Sequence, residues 1–178
     1  MAPSAGFSEG IQIRADMVRG DRPDCPRGCR RRVHRHGGYW RYARPHGQER
    51  FRVPRYWCPQ CGLSISVLPA DRVPYRPLEA TRLEAFFNEQ AEAGSGPDPP
   101  PAVLEAGCLR RAWARFQTRV AILSEAFGLL ITRVTDSAAA LWKQLRLAKA
   151  TLAGILRYLA HAHKRSLLGD YQCLRLPP

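Results

Sequence analysis

The chain has 178 residues and a formal net charge of +13, with 28 basic against 15 acidic side chains. That length holds one modest core or two small modules. It contains no run of about 18 apolar residues, so nothing reads as a membrane span. The opening MAPSAGFSEGIQIRADMV lacks a basic start followed by an apolar block, so no secretory signal is visible and a cytoplasmic location is expected. Twenty-five of the basic residues are arginine and three are lysine. Such an excess attracts polyanions, above all nucleic acid.

In chain order, the first informative pair is Cys25-Pro-Arg-Gly-Cys29. The stretch GGYWRYARPHGQERFRVPRYW then reads as a β-hairpin. Strand-forming aromatics and valine flank a turn at Pro45-His46-Gly47-Gln48. Pro54 calls for an edge strand or a bulge. Next comes Cys58-Pro-Gln-Cys61-Gly62, and LSISVLP (63–69) gives a third strand with Leu63, Ile65 and Val67 on one face.

The pattern beyond residue 77 changes to helical spacing. Leu83, Phe86 and Phe87 form a short apolar stripe. AGSGPDPPP (93–101) breaks it. Leu109, Ala112, Trp113, Phe116, Val120 and Leu123 form a stronger one. Thr135-Asp136-Ser137 offers an N-cap, after which Leu141, Leu145, Ala148, Leu152, Ile155 or Leu156, and Leu159 continue for several turns towards a stop at Gly169. The expected fold class is α+β: a three-stranded zinc ribbon over 20–77, a helical region over 78–120 that is helix-turn-helix-like, and C-terminal helices over 121–170.

The cysteines fit three chemistries: a redox dithiol, a disulfide framework or a metal site. A redox pair needs a βαβ setting that is not visible, and disulfides suit an oxidising compartment. The spacing C-x3-C, 28 residues, C-x2-C favours a metal. Two tight turns joined by a hairpin converge Cys25, Cys29, Cys58 and Cys61 on one Zn2+, at about 2.3 Å per sulfur. His34 or His36 is an alternative fourth ligand. Four thiolates leave no open coordination position, so the site is structural and supplies folding free energy. Cys108 and Cys173 have no near partner; Cys108 reads as a small buried residue.

Between Cys25 and Cys61 stand ten arginines and one acid, Glu49. Balancing the anionic cluster accounts for two or three of them. Phosphate contacts account better for the rest, with Arg30, Arg31, Arg32, Arg35, Arg41, Arg44, Arg50, Arg52 and Arg55 as the candidates. Interleaved Tyr39, Trp40, Tyr42, Phe51, Tyr56 and Trp57 serve either as hairpin core or as base-stacking surfaces. On the second helix, Arg111, Arg115 and Arg119 follow at i, i+4 and i+8. Arg111 and Arg115 are added to the candidates, with a solvated face as the plain alternative.

Cys25-Pro26, Cys29, His36-Gly37, Tyr39, the run Arg50 to Gly62, Leu68-Pro69 and Pro74-Tyr75-Arg76 together resemble the zinc-ribbon domain at the front of bacterial insertion-sequence transposases. The likeness covers roughly residues 20 to 80. Leu109 to Phe116 is similar to the second helix of the helix-turn-helix that commonly follows. The resemblance implies recognition of element-end DNA, with double-stranded DNA as partner. Such transposases cut with three carboxylates holding two Mg2+ ions on a mixed α/β domain. Past residue 120 the acids are Glu125, Asp136 and Asp170, in helical sequence, so no nuclease domain and no enzyme is expected. The C-terminal helix packs within the chain or mediates self-association. Three other readings stay open: a zinc-ribbon module docking on a nucleoprotein machine, a small metal-dependent nuclease, and a transposase remnant without function.

Overall fold

The computed structural model describes residues 10–18, 20–45, 47–93, 104–128, 131, 135–163 and 166–169. His46, Cys173 and most of the 93–101 breaker lie outside them. Among the described residues the protein is mixed α+β, with one four-stranded sheet and five helices.

The expected hairpin is β2 (His34–Tyr42) and β3 (Arg50–Trp57), and the expected third strand is β4 (Ser64–Leu68). A fourth strand, β1 (Gly10–Arg14), corrects the three-stranded expectation. The sheet order is β1-β4-β3-β2, with β1 parallel to β4 and the other pairs antiparallel. β1 is five residues long with two apolar side chains, and its partner is the strand starting at Ser64. So short an alternation carries little local signal, and distant pairing makes it a strand. Pro54 lies on the central β3, not on an edge. Its neighbour β2 slips register between Arg35 and Gly38, and the ladder from β3 to β4 starts only at Arg55. The missing amide of Pro54 therefore falls where the β4 ladder has not begun.

One apolar cluster belongs to the sheet and the cysteines: Ile11, Ile13, Cys25, Val33, Cys58, Leu63 and Ile65. The other face of the sheet is also covered, since Val53, Leu68, Ser64 and Ser66 are buried. Gln12 organises that side. Its amide donates to the Tyr75 hydroxyl at 3.0 Å, and its side-chain oxygen accepts from the Tyr75 amide at 2.9 Å. This exchange fixes Tyr75 in a left-handed conformation with φ of 61°.

The larger core runs from Val73 to Leu168 and is helical. Helices α1 (Ala80–Ala93) and α2 (Leu104–Gln117) flank the breaker, as the sequence requires. Phe87 of α1 stacks edge-on against Trp113 of α2 at 4.9 Å and against Trp142 at 5.1 Å. The long stripes of 109–123 and 141–159 are each broken. A break at Thr118–Arg119 separates α2 from α3 (Val120–Ala126), and the buried Arg119 donates to the Ser166 carbonyl at 3.2 Å. Helix α4 (Ala138–Lys149) starts at the expected cap, Ser137, whose hydroxyl accepts from the Ala140 amide at 3.4 Å. It ends at Ala150, and Thr151 caps α5 (Leu152–Tyr158). Glu84 of α1 holds this joint: its carboxylate accepts from the Leu152 amide at 2.7 Å and pairs with Arg146. Ala148, expected on the stripe, is exposed, and a π-helical turn (Leu159–His163) follows α5.

Candidate metal centre

The four knuckle cysteines come together. Their sulfurs all lie within 4.8 Å of one another, and the Cys25 and Cys61 sulfurs are 3.6 Å apart. A tetrahedral ion with bonds of about 2.3 Å needs sulfur edges of about 3.8 Å, so the set fits a single bound ion. This ligand group includes neither His34 nor His36, which stand exposed on β2.

Local chemistry shapes each knuckle. Cys25 and Cys29 bracket a turn closed by the Gly28 amide on the Cys25 carbonyl at 2.9 Å. Cys58 and Cys61 bracket another, closed by the Gly62 amide on the Cys58 carbonyl at 2.9 Å, and the Cys58 amide then donates to the Leu63 carbonyl to start β4. Gly28 and Gly62 take φ of +69° and +71°, a conformation that costs a side-chain-bearing residue about 1 kcal/mol.

The amides at each turn also point at sulfur. Those of Arg27 and Cys29 donate to the Cys25 thiol, and those of Cys61 and Gln60 to the Cys58 thiol. Burial pushes the Cys25 thiol up to about 12 in spite of that donation. Burial also pushes Cys58 upward, but its amide and thiol donors outweigh this and bring it down to about 7. Cys29 is raised, by burial first. Such amide-to-sulfur donation stabilises thiolate, which is the form that ligates metal. Cys108 is apart from the cluster, half-buried against the helical core, and accepts from the Arg111 side chain at 3.2 Å.

The candidate arginines divide into two groups. Arg41 donates to the Gln12 side chain at 2.9 Å, Arg55 to the Ser64 hydroxyl at 2.8 Å, and Arg44 pairs with Glu79 at 3.6 Å. These three are engaged within the protein. Arg30, Arg31, Arg32, Arg35, Arg50 and Arg52 are exposed and form no ion pair among the described residues. Arg30, Arg31 and Arg32 line a groove beside the first knuckle, together with Asp21, Arg22 and Asp24. On α2, Arg111 and Arg115 are exposed, whereas Arg119 of the same spacing turns inward. Three aromatic side chains that could serve as core or as surface are outside: Trp40 is 63% exposed, Tyr42 56% and Trp57 37%.

No helix among the described residues is long and apolar enough to cross a membrane. In comparisons with known proteins, no family model matches the chain, nor does any curated protein or solved structure.

Proposed function

We propose that the chain is a zinc-ribbon DNA-binding protein, akin to the DNA-recognition part of a transposase and without nuclease activity. The ion is Zn2+, because an all-sulfur tetrahedral set is its preferred site and closes the coordination sphere. Its role is to hold the hairpin and the two knuckles as one rigid surface. The observation that carries the reading is the set of six exposed arginines around the metal knuckles and on the hairpin that form no ion pair among the described residues. They outnumber the two acids, Asp21 and Asp24, that line the knuckle groove with three of them, and the excess charge is available to phosphate. Arg111 and Arg115 on α2 add contacts if α1 and α2 work as a helix-turn-helix. The transposase kinship rests on the ordered residues 20 to 80 and not on any matched relative.

Fluorescence anisotropy of labelled duplex DNA across salt concentrations tests this. Six phosphate contacts predict a slope of log affinity against log salt near about −5. Binding should vanish when a chelator strips the ion. A flat salt response, or no binding at moderate salt, would instead favour docking of the ribbon on a protein partner.

A further inference from the structure

The β2–β3 hairpin carries an aromatic and arginine lattice on one face. In an antiparallel pair, residues directly opposite each other project to the same side. Trp40 pairs with Arg52, and Tyr42 with Arg50. The four side chains therefore share one face, with a row of two rings on β2 beside a row of two guanidinium groups on β3. All four are exposed, and the two rings are the most exposed aromatic side chains among the described residues. Tyr39, Phe51 and Tyr56 do not share this state: Tyr39 accepts from the Gln12 side chain at 3.2 Å, Phe51 lies under Arg72 at 5.2 Å, and Tyr56 packs against the cysteine cluster, while Trp57 is exposed to a lesser degree, at 37%.

Two large apolar surfaces left in water on a short hairpin are costly unless something covers them. The spacing says what fits. Residues two apart on a strand are about 6.8 Å apart. Stacked bases in a duplex are about 3.4 Å apart along each strand. The rings of Trp40 and Tyr42 therefore cannot both meet bases that remain stacked. They suit bases splayed along an extended strand, with the phosphates of that strand beside Arg50 and Arg52. The two exposed guanidinium groups beside the rings favour a polyanion as the occupant.

We propose that this face binds single-stranded nucleic acid, with Trp40 and Tyr42 stacking on two unpaired bases and Arg50 and Arg52 holding the phosphates that join and flank them. The inference rests on the nucleic-acid reading above and adds strandedness to it. Base stacking tolerates any sequence, so a homopolymer is an adequate probe.

The test uses the full metal-loaded chain, a labelled oligothymidine and a hairpin duplex, at fixed salt. Trp40→Ala and Tyr42→Ala should each weaken oligothymidine binding by about 5- to 100-fold, the range typical of one lost stacking partner. Duplex binding should change less than about twofold, since the phosphate contacts remain. Trp40→Phe should restore most of the oligothymidine affinity. Metal content, measured on each variant, confirms that the ribbon is intact. Unchanged oligothymidine affinity in Trp40→Ala, or an equal loss on both probes, overturns the single-strand proposal while leaving the DNA-binding reading standing. Absence of binding to either probe by the unsubstituted protein overturns both. Retention of the aromatic dependence with a protein partner but not with oligothymidine would assign the face to protein docking and overturn the proposal too.

Discussion

Cys58 and Cys25 are shifted in opposite directions: amide and thiol donors outweigh burial and bring Cys58 down to about 7, whereas burial pushes Cys25 up to about 12. A metal ion bound at the cluster would have to displace at least the Cys25 proton. Metal loading is thus coupled to proton release. Cys58→Ser is expected to weaken metal binding by more than about 100-fold, since even the partners of ligands contribute about 10- to 100-fold. Cys108→Ser should bind one ion per chain as before, because its sulfur is outside the cluster. Competition against a chromogenic chelator measures both. At this scale the cysteines were legible from sequence, because each pair is closed by a turn of three or four peptide units that local chemistry alone determines. The arginines were legible only as charge. Arg41 and Arg55 find their partners in Gln12 and Ser64, on other strands, and no local pattern reveals that. Arg119 shares the i, i+4, i+8 spacing of Arg111 and Arg115, yet the break after α2 turns it onto the Ser166 carbonyl.

Elements were legible in proportion to how local their determinants are. The hairpin, α1, α2 and the cap at Ser137 carry their signals within a few residues. The joints between α2 and α3 and between α4 and α5 do not. The stripe through 141–159 is compatible with one long helix; the break is set by the Thr151 cap on the Gly154 amide together with the carboxylate of Glu84, from α1, which satisfies the Leu152 amide. Trp142 is absent from the stripe read through Leu141, Leu145 and Ala148, yet it shares a buried helical face with Ala138, Leu141 and Leu145. Ala150 at this joint has φ of 55°, where a β-carbon is strained. Ala150→Gly is therefore expected to stabilise the protein by about 1 kcal/mol, the reverse of the usual effect of glycine next to a helix. Chemical denaturation should show a higher midpoint with an unchanged slope.

At the scale of the whole molecule, the sheet and the helices are joined by charge as well as by apolar contact. Arg14 of β1 is buried, and Asp16 pairs with it at 3.0 Å while also pairing with Arg157 of α5 at 3.2 Å. Burial lowers the Arg14 pKa, with Asp16 opposing that effect. Asp16→Ala would leave a buried guanidinium without its carboxylate. It should destabilise the fold by about 3 kcal/mol, read as a fall in thermal midpoint of the metal-loaded protein. Nothing in the sequence linked Asp16 to Arg157, 141 positions away.

The parallel pairing of β1 with β4 also has a temporal meaning. During synthesis, Ile11 leaves the ribosome long before its partner Ile65, and everything that forms β2 and β3 emerges between them. At about 5 to 20 residues per second, β1 spends seconds without a neighbour. Closing so long a loop is entropically costly and slow. Cys61 emerges immediately ahead of β4, so the last of the four clustered cysteines and the docking site for β1 reach the nascent chain almost together. The first of the four described strands is thus the one whose seat becomes available only as the cysteine cluster is completed.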